Sequence, residues 1–310
     1  MRATPAQPLV SVLVPIYNSA PYLPACLDSI AAQTYENLDI VLVDDASSDG
    51  SGAIAARFAA TDPRVRYLCH DSNLGNRENF RITLELSRGE LIKFVCGDDL
   101  LAPEVIETMV AVMQHDPEVS LVTSRRSRID CSGRPLPDPP HLQVQSDVTL
   151  IEGRTAGDLL LSSLVNWIGE PTTVMFRSAS LGRRELYQIG NQRPARNLDV
   201  VWWLKVMMGR RMAYINRPLS SFRIHEAQQS SRATLQADLV LSWYDIILGS
   251  ADIGYLQDPG AERAALESMV RLLDARLAEL APAAIQRADR IYREASLRMC
   301  ALTQEDLAVT

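Results

Sequence analysis

The stretch Val41–Gly52, V-L-V-D-D-A-S-S-D-G-S-G, decides how the chain is read. With Ile40 it opens on an unbroken apolar run, rich in β-branched residues, which predicts a strand buried on both faces as in a parallel sheet. Asp44 and Asp45 stand at the C-terminal end of that strand. Ser47, Ser48, Asp49 and Gly50 are the small polar residues that turn a chain and cap a helix, here from about Ser51. Ligands of open α/β sheets bind at that edge, where adjacent carboxylates can accept from the N–H of a base or the hydroxyls of a ribose. The same pair can also do no more than cap a loop, so its meaning depends on the neighbouring stretches.

The chain has 310 residues, 47% of them apolar, enough for one large α/β domain or one such domain with an appendage. A formal net charge of -7 argues against nucleic acid as a general partner, because phosphate binding favours a basic surface. Five scattered cysteines without a C-x-x-C spacing fit a reducing cytosol and imply neither a disulfide framework nor structural zinc. The N-terminal residues lack an apolar signal region, and no apolar run reaches about 18 residues. The expected location is therefore the cytoplasm, with at most a peripheral contact at the inner face of the plasma membrane.

Outward from Val41–Gly52, strand and helix alternate through the first hundred residues, the pattern of a doubly wound parallel sheet. Strands are expected at Leu9–Val14, ended by Pro15, and at Leu38–Val43, Val65–Cys69 and Leu91–Val95. Helices are expected at Pro21–Ala32, Ser51–Ala60 and Asn76–Ser87, followed by Pro103–His115 and a strand at Val119–Thr123. Ser132–Pro140 is turn-rich and reads as irregular. Beyond it come a helix at Thr155–Val165, a strand at Thr172–Phe176, a helix at Leu198–Met208 and an edge or return strand at Leu219–Ile224. The last seventy-odd residues read as helices: Leu235–Leu248, an amphipathic stretch carrying Leu266, Met269, Leu273 and Leu277, and another over Ala283–Ala301. They can form a cap on the main domain, a dimer contact, or a surface whose Arg287, Arg290, Arg293 and Arg298 face anionic lipid.

A second carboxylate pair, Asp98 and Asp99, again follows a buried strand and so belongs at the same sheet edge. Four carboxylates at one mouth repel unless something positive sits among them. Magnesium or manganese on a diphosphate is the natural candidate, since both take hard oxygen ligands, commonly only one or two from protein.

Several blocks in order then carry a resemblance: S-V-L-V-P-I-Y-N from Ser11, Y-L-P-A-C-L-D-S-I-A-A-Q-T-Y from Tyr22, D-I-V-L-V-D-D-A-S-S-D-G-S from Asp39, N-L-G-N-R-E-N-F from Asn73, S-R-G-E-L-I-K-F from Ser87, and G-D-D from Gly97. Together they resemble the family 2 glycosyltransferases of the GT-A fold, a Rossmann-like, mainly parallel sheet flanked by helices. The resemblance implies a GT-A domain over residues 1–230, with a nucleotide-binding half at 1–125 and an acceptor-binding half at 126–230. A helical extension at 231–310 lies outside it. It implies transfer of a sugar, with inversion, from a nucleoside-diphosphate donor, by family frequency a UDP-sugar, to an acceptor hydroxyl, usually with Mg2+ or Mn2+. Bacterial relatives commonly build polysaccharide or lipid-linked chains, which makes a saccharide or lipid-linked acceptor the expected partner.

Position by position, the resemblance assigns Pro15 and Tyr17 to the base, with Tyr17 able to stack on it or to serve as a core aromatic. Asp45 would accept from the base N–H while Asp44 supports the turn. Asn73, Gly75 and Arg77 would lie near base and ribose, Arg77 being equally readable as a surface charge. The family's D-x-D-D pattern meets Cys96, Gly97, Asp98 and Asp99 here, so its first carboxylate is missing. Asp98 is then expected at ribose or metal and Asp99 at the metal. The segment R-N-L-D-V-V-W-W-L-K-V resembles the family's catalytic helix and offers Asp199 as the base that deprotonates the acceptor. Glu170, in I-G-E-P-T-T-V-M-F-R, matches a cleft-lining stretch as an acceptor or sugar contact, or else is a loop carboxylate. Arg223 and His225, in S-F-R-I-H-E-A-Q-Q-S-S, would meet the diphosphate or metal. Two alternatives stand beside this reading: a binding protein that has kept the nucleotide-sugar site without catalysis, and a sugar nucleotidyltransferase, whose phosphate loop P-I-Y-N-S-A-P-Y does not resemble.

Overall fold

The computed structural model describes residues 7–139, 141–182, 185–226, 228, 236–280 and 282–309. The chain divides into two compact units, one of Met1–Leu150, Ile168–Arg184 and Arg211–His225, the other of Ile151–Trp167, Glu185–Arg210 and Glu226–Thr310.

The first unit is built on β1 (Val10–Ile16), β2 (Leu38–Asp44), β3 (Val65–Cys69), β4 (Leu91–Phe94), β5 (Leu100–Leu101), β6 (Val119–Ile129), β7 (Pro135–Leu136), the Val148–Leu150 part of β8 (Val148–Glu152), β9 (Met175–Arg177) and β10 (Arg211–Arg223). They form one ten-stranded sheet in the order β3-β2-β1-β4-β9-β6-β10-β5, with β7 on β6 and β8 on β10. The pairs β1–β2, β1–β4, β2–β3 and β6–β10 are parallel; β9, β5 and β7 join antiparallel. The apolar run Ile40–Val43 is buried in the sheet, as its composition requires. Val10, Val12, Val14 and Ile16 share a core cluster with Leu23, Leu27 and Ile30 of α1 (Leu23–Ala31) and Ile106, Met109 and Met113 of α4 (Val105–His115), with Ala55 of α2 (Ser51–Thr61) at its side. In α3 (Asn76–Glu85), Phe80 stacks on Phe94 of β4 at 5.2 Å.

Several expectations are corrected. Pro15 does not end the first strand: β1 runs to Ile16, with Pro15 in register with Val43. Leu13 O accepts from Val95 N while Ile16 O accepts from Asp45 N, so position 15 faces the β4 side. Pairing with β4 ends at Leu13, and the missing proline N–H costs no ladder bond. The strand expected at Val119–Thr123 continues through Ser124–Ile129 because β10 pairs alongside it. Its charges are answered by Asp138 for Arg125 and Glu170 for Arg126, partners far off in sequence. Leu219–Ile224 proves to be the end of the long β10, which lies between β6 and β5. Thr172 sits in a 3-10 turn, Pro171–Thr173, before β9. Within Ser132–Pro140, Pro135 and Leu136 pair with β6; Pro140 lies outside the described residues.

The second unit contains α5 (Gly153–Ser163), α6 (Leu198–Met207), α7 (Gln236–Asp252), α8 (Pro259–Arg276) and α9 (Pro282–Val309). Tyr255 is fully buried and its hydroxyl donates to Leu204 O at 2.8 Å. Asp258 caps α8 by accepting from Ala261 N, with Pro259 in the first turn, the arrangement expected of an N-terminus. Arg287 pairs with Asp245 and Arg298 with Glu262. The sequence division at 230/231 and the helix start at Leu235 fall outside the described residues. Helices α5 and α6, given by sequence to the acceptor half, belong here to the same compact unit as the C-terminal helices. Among the described residues no helix is long and apolar enough to cross a membrane.

A Cβ on Gly157 would run into the ring of Tyr255. Gly157→Ala should therefore cost about 1–3 kcal/mol by overpacking and lower the melting temperature by several degrees. A thermal melt followed by circular dichroism reads this directly; an unchanged midpoint would show that α5 and the Tyr255 segment do not pack as described.

Candidate active site

Asp44 ends β2 and Asp98 follows β4, and these strands flank β1 in parallel. Both carboxylate pairs therefore emerge at the C-terminal edge of the sheet, where open α/β folds take ligands. Their surroundings differ.

Asp45 is 1% exposed and its two oxygens accept from Leu74 N at 2.7 Å and Gly75 N at 2.9 Å. Gly75 has φ +88°, a conformation that glycine adopts without steric cost. One buried carboxylate thus fixes the loop holding Asn73 and Gly75 just before α3; Arg77 lies in the first turn of that helix rather than in the loop, and both Asn73 and Arg77 are exposed to solvent. Asp44 accepts from Ser47 N and Ser47 Oγ, holding the turn after β2. Asp49 accepts from Ser51 N at the start of α2 and from Ala20 N in the opposite loop. Asn18 joins the same two loops by accepting from Ser48 N and donating its own N–H to Ser47 Oγ. Tyr17, following the buried Pro15, is 46% exposed, so its ring is available for stacking.

At the second pair, Asp99 is fully buried. Its Oδ2 accepts from Thr172 Oγ1 at 2.6 Å and its Oδ1 from Arg223 N at 2.9 Å. Burial, followed by the neighbouring Asp98, raises its pKa well above the ordinary carboxylate value. Asp98 is turned the other way and partly exposed, with His225 Nε2 at 3.0 Å from its Oδ2. The His225 ring packs on Tyr22 at 4.6 Å. Arg223 is 4% exposed; its guanidinium lies 4.9 Å over Tyr22 and donates to Asp98 O at 2.7 Å and Asp130 O at 3.0 Å. Arg223 therefore holds the Asp98 turn by its backbone. Donor atoms of Cys96, Asp98 and Asp99 lie within 4.8 Å of one another. Burial raises the Cys96 thiol pKa well above its usual value, with Asp99 adding to the effect, and a soft sulfur ligand suits magnesium or manganese less well than an oxygen does. The partly exposed Asp98 carboxylate, with the His225 imidazole beside it, is a group that could hold a divalent cation.

Glu170 is ion-paired with Arg126 at 2.7 Å and begins the segment whose Thr172 reaches Asp99. Asp199, in the second unit, lies in the first turn of α6 and accepts from Asn166 Nδ2 at 2.8 Å. The structure thus brings Asp98, Asp99, Glu170, Thr172, Arg223 and His225 together within the first unit.

Thr172, Tyr22, Arg126 and Asn166 were not singled out in the sequence, since nothing local marks them. Lys93 was also missed, though it left a signal: one charge inside the apolar run L-I-K-F-V. It is fully buried, and its ammonium donates to Thr172 O and Val174 O.

With this geometry in view, the profile described as Glycosyl transferase family 2 matches residues 11–190, and the chain belongs to that family. Its fold is mixed α/β of the GT-A kind. Uncharacterized protein MT1568 of Mycobacterium tuberculosis is 33% identical over 260 residues, covering 78% of this chain and 77% of that protein. Glycosyltransferase GlyG of Streptococcus pneumoniae is 41% identical over 106 residues, 34% of this chain and 35% of GlyG, so that match spans about a third of either protein. Among solved structures, S. aureus TarS 1–349 in complex with UDP superposes with a TM-score of 0.66 at 15% identity, over 95% of this chain and 88% of that one. The mannosyltransferase PcManGT from Pyrobaculum calidifontis, in complex with GDP-Man and Mn2+, gives 0.53 at 19% identity, over 98% and 88%.

Burial lowers the Lys93 pKa to about 7, whereas an unfolded lysine titrates near ~10.4. Between these values the folded state binds fewer protons than the unfolded one. The stability this site contributes is therefore complete above the unfolded value and is lost as pH falls through the folded one. Wild type should gain stability relative to Lys93→Met as the pH rises from about 7 to about 9, read by urea unfolding at each pH. Parallel pH profiles for the two proteins would refute it.

Proposed function

We propose that the protein is an inverting, metal-dependent glycosyltransferase that moves a sugar from a nucleoside-diphosphate sugar, most simply a UDP-sugar, to an acceptor hydroxyl. The observation that carries this reading is the Asp98–His225 pair at the C-terminal edge of the sheet, with the loop gripped by Asp45 on the same edge. The UDP bound in TarS and the GDP-Man and Mn2+ bound in PcManGT agree with a nucleoside-diphosphate donor.

In this reading Tyr17 stacks on the base, and Asp45, through the 73–75 loop and its remaining lone pairs, shapes the pocket for base and ribose. Asp44 keeps the turn in place, and Asn73 and Arg77 reach the nucleotide from solvent. Asp98 and His225 would hold Mg2+ or Mn2+, with Asp99 fixing the turn behind them. When bound there, a cation would supply positive charge to a leaving diphosphate. Arg223 adds a buried positive charge on the same side. Glu170, oriented by Arg126, contacts sugar or acceptor. Asp199 takes the acceptor proton; its assignment rests on the resemblance of its segment and on the Asn166 hydrogen bond that orients one of its oxygens. The acceptor is a saccharide or lipid-linked saccharide, and the division into a GT-A domain at 1–230 and a helical extension at 231–310 follows the same reading. We place the reaction in the cytoplasm, with α9 available for a peripheral membrane contact or a homodimer. Because Arg287 and Arg298 are already ion-paired within their unit, a lipid contact would draw on Arg290 and Arg293.

One observation favours a second reading: Cys96 stands where a metal carboxylate is usual, consistent with a nucleotide-sugar-binding protein without transfer. A thermal-shift panel of UDP, dTDP and GDP with and without manganese tests the donor. The expected result is a manganese-dependent stabilisation by one nucleotide that Asp98→Asn abolishes. Asp199→Asn should keep that binding and lose about 100-fold or more of transfer rate. No shift with any nucleotide would refute the donor site, and unimpaired transfer by Asp199→Asn would refute the base.

A further inference from the structure

Thr172 is bonded through both its carbonyl and its hydroxyl. Its carbonyl takes the Lys93 ammonium, its hydroxyl donates to Asp99 Oδ2, and that hydroxyl accepts from Cys96 N at 3.0 Å. Lys93 has no solvent exposure and bonds Val174 O as well, at 3.4 Å. Thr172 is itself 3% exposed. A lysine enclosed in this way loses its hydration, and among the described residues the carbonyls of Thr172 and Val174 replace it. The Glu170–Thr173 turn is in turn closed by Thr173 N donating to Glu170 O at 2.8 Å.

We propose that Lys93 and Thr172 are positioning residues: they clamp the Asp98–Asp99 turn to the Gly169–Val174 segment and so set the direction in which Asp98 presents its carboxylate. The clamp works through Asp99. With Thr172 Oγ1 on one oxygen and Arg223 N on the other, the Asp99 side chain cannot rotate outward. Asp98, next along the backbone, is thereby turned towards His225. Cys96 N on Thr172 Oγ1 fixes the other end of the same turn. Neither Lys93 nor Thr172 touches substrate in this scheme. Partners that orient a metal-binding group in this manner commonly change metal affinity 10- to 100-fold when removed.

The inference rests on the reading of Asp98 and His225 as the metal site, and the test separates the two. Manganese is titrated calorimetrically into the full-length protein in the presence of UDP, for wild type, Thr172→Val, Thr172→Ser, Lys93→Met and Asp98→Asn. Thr172→Val, which keeps the shape but loses the hydroxyl, should weaken manganese binding about 10-fold or more, and Thr172→Ser should restore it to within about threefold of wild type. Lys93→Met should weaken it in the same direction while the protein still melts cooperatively. A purely structural threonine would not distinguish the serine from the valine variant in metal affinity at equal melting temperature. If Thr172→Val and Lys93→Met bind manganese as wild type does while Asp98→Asn does not, the clamp is overturned and the metal site stands. If Asp98→Asn binds as wild type does, or wild type takes up no manganese, the metal site falls and the clamp with it. Should Lys93→Met fail to fold, the valine and serine pair at Thr172 decides.

Discussion

A carboxyl group taken out of water must be met by hydrogen bonds, and among the described residues Asp99 is an acid for which that demand is severe. It has no exposed surface, and leaving it unpaired would cost several kcal/mol. The donors come from 73 and 124 residues further along the chain. Satisfying one side chain therefore draws together the turn after β4, the segment before β9 and the end of β10. Lys93 donates to the carbonyls of Thr172 and Val174 at the same junction.

The four carboxylates at the sheet edge are not equivalent, which bears on how their mutual repulsion is relieved. Charge counting alone would have a cation neutralise all four. Asp44 is instead satisfied by Ser47, Asp45 by the backbone N–H groups of Leu74 and Gly75, and Asp99 by Thr172 and Arg223. Asp98 is the one that remains partly open, with His225 beside it. Three of the acids are buried and hold loops and turns by hydrogen bonds, and the fourth keeps part of its carboxylate exposed. Arg223 shows the same economy: a guanidinium that the sequence suggests for a diphosphate is largely engaged with backbone carbonyls and the Tyr22 ring.

The second unit follows a different physical logic. Its helices are held by buried aromatic residues such as Trp203 and Tyr255 and by ion pairs between helices, Arg287 with Asp245 and Arg298 with Glu262. These pairs are part of the packing rather than a free basic face. Asp199 sits at the start of α6 in this unit, and Asn166 holds one of its oxygens.

The sequence by itself determined the alternation of strand and helix through the first hundred residues, the placing of both aspartate pairs at strand ends, and the family. Each of these depends on short-range pattern: an apolar run of fixed length, a turn residue, a block of motif. Only the tertiary structure decided which aspartate faces outward, why Pro15 can lie inside β1, how the polar stretch Ser124–Ile129 can be a strand, and what Thr172 and Lys93 hold. Those outcomes depend on neighbours many tens of residues away. A side chain's burial and its hydrogen-bond partners are properties of the fold, and no local window of sequence contains them.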